Sequence, residues 1–154
     1  MSLQDPNLAT PRTPKRVAIV ISNVAVSSIT GWPVGFWWSE LTHTYYELIE
    51  RGYQIEVFSP LGGKCEADSM SDPRDPSGYS VSDLISLGFI HTPALAALPA
   101  TTKPVEQIDV NAFHAIVVAG GQGTSRAHSV FAEGASEGPR AGGLTPLGDR
   151  FIFR

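Results

Sequence analysis

The sequence predicts an α/β fold built on a doubly wound parallel sheet, and three observations carry that expectation. Two runs, Arg16–Ser22 (RVAIVIS) and Ala115–Val118 (AIVV), are apolar and rich in β-branched residues without polar alternation, the pattern of strands buried on both faces. A stretch of helical period over about 35–51 separates the first run from another strand, Tyr53–Pro60 (YQIEVFSP). Strand, helix and strand of these lengths make a βαβ unit, with parallel strands and a right-handed crossover. The AIVV run then breaks into AGGQGT, three glycines within four residues. In open α/β sheets ligands bind at the carboxyl ends of strands, so this turn is where chemistry is expected. A tight strand-to-helix turn that holds no ligand is the alternative.

Bulk properties narrow the classes. The chain has 154 residues, 42% hydrophobic and 17% charged, which suits one globular domain with a real core. A net charge of −4 argues against a nucleic-acid partner, whose footprint would be basic. No apolar run reaches the length of a membrane span. The opening MSLQDPNLATPRTPKR is polar and punctuated by Pro, with no apolar core of a secretory signal. Cys65, alone of its kind, has no internal disulfide partner, and a reducing, cytoplasmic home is the simplest expectation.

In chain order, residues 1–14 read as a flexible lead and 15–124 as the α/β domain. Asn23–Gly35 is a loop broken by Gly31 and Pro33. The helix that follows should stop at Gly52. Its period puts Trp37, Trp38, Leu41, Tyr45, Leu48 and Ile49 on one broad face and Glu40, His43, Glu47 and Glu50 on the other, mostly acidic and solvated. Leu61–Ser80 is a long loop of Gly, Asp, Pro and Ser, of a length that is either functional or disordered. Asp72-Pro73 and Asp75-Pro76 within it are turn formers. Asp83–Gly88 and Pro93–Leu98 suit short helices, and Val105–Asn111 a connection into the AIVV strand. His91, His114 and His128 are scattered without ligand spacing, so no metal site is expected.

Four stretches then stand in order: RVAIVIS, GFWWSELTHTYYEL at 35–48, VFSPLGGK at 57–64 and FHAIVVAGGQGT at 113–124. Together they resemble the PfpI-type branch of the class I glutamine-amidotransferase-like superfamily, which includes heat-shock glyoxalase III enzymes, protein deglycases and intracellular amidases. The stretch 71–89, SDPRDPSGYS followed by DLISLGF, resembles a loop insertion of bacterial type 1 glutamine amidotransferase domain proteins. The resemblance implies a flavodoxin-like fold and stress-response chemistry of the lyase or hydrolase kind. Its substrates would be small reactive aldehydes or amides, taken by a Cys–Glu pair without any cofactor. It places the glutamate at Glu40 and the oxyanion-binding donors at Gly120, Gly121, Gln122 and Gly123. A carboxyl beside a thiolate shares its proton, and backbone N–H groups stabilise the oxyanion that forms. By helical phase alone Glu40 is a surface carboxylate near a helix start, on the flank of the buried face. His43 shares its side of the helix as a supporting or surface histidine.

The resemblance ends at about Thr124, before the A-x-C-H-G elbow that carries the family's nucleophile. Residues 125–154 have no sustained period, only FIFR regains apolar density, and the Gly, Ala, Arg and Pro bias fits an out-of-frame reading of GC-rich DNA. The tail therefore reads as foreign or disordered, and the domain as truncated before the nucleophile strand. Cys65, in GGKCEAD, is a poor substitute, because its neighbours Glu66 and Asp68 would raise its pKa. The expectation is an inactive chain. The rival expectation is a non-enzymatic module that holds a small anion at the GGQGT turn or recruits a partner. An uncovered sheet face would favour association, a homodimer included.

Overall fold

A computed structural model describes residues 14–27, 31, 34–119 and the backbone of 151–153. The expected lead and all but three residues of the expected tail lie outside these. Among the described residues five parallel strands form one sheet: β1 (Arg16–Val20), β2 (Gln54–Ser59), β3 (Lys103–Pro104), β4 (Ala115–Val118) and β5 (Phe151–Phe153), in the order β3-β2-β1-β4-β5. Val17 pairs with Ile55 and Ala115, and Val20 with Phe58 and Val118, so β1 is central. The sheet is flavodoxin-like, and strand order reverses between β1 and β4. Two strands went unassigned in the sequence. The two residues of β3 extend the edge beside β2, and β5 pairs with β4 at Ile116–Phe151 through Val118–Phe153.

Successive strand side chains point to opposite faces. Val17, Ile19, Val57 and Val117 face the helical layer, with Phe36, Trp38, Leu41 and Phe89 in the same core. Ala18, Val20, Phe58, Ile116 and Val118 face the other way, where Val105 and Phe113 cover them. Among the described residues that second layer is a 3-10 turn at Val105–Gln107 and the loop after it.

The crossover helix α1 runs Trp38–Glu50, then α2 Leu84–Ile90 and α3 Pro93–Ala96. Helix α1 starts three residues later than its period suggests, because Phe36 bridges to Ala67 of the long loop. Trp37 gives no side-chain cap; the Trp38 N–H donates instead to Ser71 Oγ at 3.1 Å, and Ser71 in turn donates to the Asp68 carbonyl. A residue of the loop thus caps an orphan donor of the helix. The helix ends as expected at Gly52, whose φ of +80° suits only glycine without strain. Gly52 N–H donates to the Ile49 carbonyl and Tyr53 N–H to that of Leu48, which is the Schellman pattern. Of the expected buried face, Trp38 and Leu41 are buried and Tyr45 and Leu48 pack on the core. Ile49, in the last turn, is exposed, so the apolar stripe narrows before the helix ends. Thr42, absent from that list, is fully buried because it meets Ser86 of α2.

The long loop is folded, which settles one of its two expected readings. Aspartates turn it repeatedly: Asp68, Asp72 and Asp75 each accept the N–H two residues on, at 3.0, 2.9 and 2.9 Å. Gly35 lets this loop press on the approach to α1. A Cβ there would lie 2.4 Å from the Ala67 carbonyl carbon and 2.4 Å from the Glu66 oxygen.

Candidate active site

Ligand sites in such sheets lie outside the strands' carboxyl ends, at the point where strand order reverses. Here that point is between β1 and β4. Immediately over it is a cavity of about 230 Å³ lined by Ser39, Glu40, His43 and Thr44 from α1 and by Val117, Val118 and Ala119 from β4 and its end. The helix supplies the polar wall and the strand the apolar one. The ladder continues one step past β4, since Ala119 N–H donates to the Val20 carbonyl at 2.9 Å. Gly120, Gly121, Gln122 and Gly123 follow Ala119 in the chain and lie outside the described residues.

Glu40 is the third residue of α1 and half-buried. Its Oε2 is buried and has no hydrogen-bond partner among the described residues. Burial raises its pKa above the ordinary glutamate value, since no donor compensates the lost water. The expected solvated face is therefore corrected at this position. Glu47 and Glu50 are exposed, whereas Glu40 is turned against the strand ends.

His43 lies one turn further along the same wall. Its ring is half exposed, and Nε2 donates to Asp83 Oδ1 at 2.9 Å. Asp83 also caps α2. Its Oδ1 accepts the Ser86 N–H at 3.0 Å and its Oδ2 the Ser86 hydroxyl at 2.6 Å. Thr42 completes the chain, with Oγ1 2.8 Å from Ser86 Oγ. Burial pushes Asp83 upward, but the hydrogen bonds from Ser86 and His43 outweigh it and hold the carboxyl below its usual value. An ionised Asp83 fixes the His43 ring. The sequence carried one sign of this network, an Asp-x-x-Ser spacing at the start of a short helix, which is a capping signal. The pairing of Asp83 with His43 is non-local and left no sign.

Cys65 is placed elsewhere. It is 6% exposed and belongs to the core on the helical side. Asn23 Nδ2 lies 3.4 Å from its sulfur and Thr102 Oγ1 3.8 Å. Its pKa is raised, as the sequence suggested, but the cause is burial, with Ser59 and Thr102 pulling weakly the other way. Glu66 is engaged with Lys64 at 2.8 Å in solvent, and Asp68 with its own turn. No thiol lines the Glu40 cavity. Among the described residues no group of three or more His, Cys, Asp or Glu is arranged to hold a metal, and no helix is long and apolar enough to cross a membrane. His91 ends α2, and His114 Nδ1 accepts the Arg16 N–H at 3.3 Å.

Fold and cavity together define an α/β protein with a carboxyl-bearing crevice at its switch point. The chain resembles the PfpI-type branch of the class I glutamine-amidotransferase-like superfamily. No family model matches it, and no curated protein does. Solved structures do. One is the Francisella tularensis Rapid Encystment Protein 24 KDa, 25% identical at a TM-score of 0.60, covering 77% of this chain and 55% of that one. Glyoxalase III from Candida albicans has the same fold, with 19% identity, a TM-score of 0.55, and coverage of 78% and 54%. A further crystal structure is 29% identical at a TM-score of 0.54, covering 72% and 44%. The chain spans about half the length of these structures.

Proposed function

We propose that this chain carries the glutamate half of a cofactor-independent Cys–Glu site for small reactive aldehydes or amides, of glyoxalase III, deglycase or amidase type. The observation that supports it is Glu40. A half-buried carboxyl with an unpartnered oxygen, at the carboxyl end of a parallel strand, is costly unless something else comes to it. A thiol or a substrate carbonyl is such a partner. With its pKa raised, the carboxyl holds a proton nearer neutrality and can give it to a developing alkoxide or take one from carbon. In the glyoxalase reaction a thiolate adds to the aldehyde as a hemithioacetal, and a base then moves a proton between the two carbons. In this reading that second task falls to Glu40.

Because no thiol lines the cavity, the chain alone should not consume methylglyoxal. Methylglyoxal loss at neutral pH tests this, and turnover abolished by Glu40→Gln would refute the inactive reading. Carbon-13 titration of the Glu40 carboxyl tests the site itself. A midpoint at or below the ordinary glutamate value would remove its support. Reading the coding DNA beyond codon 124 in all three frames tests the origin of residues 125–154, since an A-x-C-H-G strand in another frame would supply the thiol this reading calls for. The rival anion-binding module fits less well, because an unpaired carboxyl in the crevice opposes an anion beside it.

A further inference from the structure

The Glu40 cavity is small. Pockets that bury a drug-sized ligand run from roughly 300 to 1,000 Å³, whereas this one is about 230 Å³. It holds a carbonyl and a few further atoms. Beside it lies an open groove of about 640 Å³, whose lining includes Trp37, Tyr79, Leu84 and Ile85. Ser39 and His43 line both spaces, so the two meet along one turn of α1.

The groove has a mixed lining: Ser39, His43, Ser80, Ser82 and Asp83 supply polar groups, and four large apolar side chains supply the rest. Tyr79 is 66% exposed, Leu84 72% and Ile85 45%, a cluster of large apolar side chains left in water. Trp37 meets Tyr79 edge to face, with ring centres 6.1 Å apart at 86°. Behind them, His43 is held by Asp83, Asp83 by Ser86 and Ser86 by Thr42. A wall fixed before binding loses little entropy when a ligand arrives.

We propose that the Trp37–Tyr79–Leu84–Ile85 groove is a second subsite, taking an aromatic or bulky apolar arm of the amide or aldehyde whose carbonyl lies against Glu40. The proposal rests on the reading of Glu40 given above and deepens it. The preferred substrate is then an arylalkyl amide or aldehyde and not a three-carbon one. His43, at the junction, is a positioning residue between the two subsites.

The test titrates the nitrogen-15-labelled full chain with acetamide and with 3-phenylpropionamide, following backbone amide and indole signals. Both amides should shift Thr44 and Val118, which line the inner cavity. Only the aromatic amide should also shift the Trp37 indole and Ile85. It should bind at least about tenfold more tightly, as burial of a ring implies. Leu84→Ser, at a position too exposed to carry core packing, should bring it back to within about twofold of acetamide without changing acetamide binding. Tyr79→Ala should do the same. Equal binding, with Thr44 and Val118 moving while Trp37 and Ile85 stay still, overturns the subsite and leaves the Glu40 reading standing. Shifts at Trp37 and Ile85 alone show a groove unconnected to the inner cavity and overturn the proposal. No shift from either amide overturns both.

Discussion

Replacing Glu40 by glutamine should stabilise the protein at neutral pH, and the gain should disappear in acid. Oε2 is buried and unpartnered, and the side chain as a whole is half-buried. Glutamine leaves the same buried position unsatisfied, so only the added cost of the charged form separates the two side chains; an unsatisfied buried group costs about 1–3 kcal/mol, more if charged. Solvent reaches the other half of this carboxyl and screens it, so the lower end, about 1 kcal/mol, applies. The sign follows from the direction of the shift. Burial raises the folded-state pKa above the unfolded value of 4.5, so the folded chain holds the proton more tightly. That stabilisation is complete below the unfolded pKa and is lost as pH rises through the folded one. Glutamine never ionises and escapes the loss. Urea unfolding followed by the fluorescence of the three tryptophans measures the difference at about pH 4, 5.5 and 7.5. At the highest pH the variant's midpoint should lie about 0.5 M above the parent's, for a slope of about 2 kcal/mol/M. Other carboxylates titrate in both proteins and cancel in the comparison. A parent more stable than the variant at about pH 7.5 would mean that the carboxylate is paired, and a pH-independent difference would mean that its ionisation is not coupled to folding; in either case the argument for an open catalytic carboxyl would fail.

Three further outcomes follow from the same geometry. Gly35→Ala should cost at least about 2 kcal/mol, because its Cβ meets backbone atoms that cannot rotate away, and thermal unfolding would show it; a neutral result would mean that the loop is free to move off α1. Asp83→Ala should cost about 1 kcal/mol at neutral pH through loss of the α2 cap. Since the Asp83 pKa is lowered, the contribution of its charge is present above the unfolded value of 3.8 and lost as pH falls through the folded one, so parent and variant should converge in acid denaturation; a gap that persists there would show that the charge is irrelevant. Cys65 should resist a thiol reagent in the folded protein and react fully in urea, and fast labelling of the native chain would contradict its burial.

The sheet was legible where the signal was local. RVAIVIS, AIVV and the 35–51 period are continuous runs, and β1, β4 and α1 fall within them. The Asp-Pro turns were legible for the same reason, since each aspartate accepts from a residue two further on. What failed was non-local. β3 is two residues, one of them proline, and is a strand only because Phe58 and Ser59 lie alongside. FIFR stood out as apolar, but nothing local announces that it pairs with β4. Cys65 sits among polar residues, and its burial comes from Asn23, Thr102 and the helical core, all remote in sequence. Glu40 shows the limit most sharply. Its phase gave the flank of the buried face, and phase has no term for strand ends that close over a flank.

The long loop is what turns that flank into a site. Three of its contacts fall on the first turns of α1 or just before them. Ser71 caps Trp38, residues 66–68 clasp Phe36, and the stretch that leads out of the loop brings Asp83, the α2 cap, to His43. Glu40 lies between these anchors and makes no hydrogen bond through Oε2. The helix is therefore pinned on both sides of the carboxyl while its Oε2 is left without a partner among the described residues. A helix start needs a cap, and any nearby serine would serve; it does not need a glycine pressed to 2.4 Å of a distant carbonyl carbon or an aspartate shared between a cap and a histidine. Those features fix the direction of one wall of the crevice. A loop read from composition as either functional or disordered is thus the scaffold on which the Glu40 reading depends, and loosening it at Gly35 should disturb Glu40 before it unfolds the sheet.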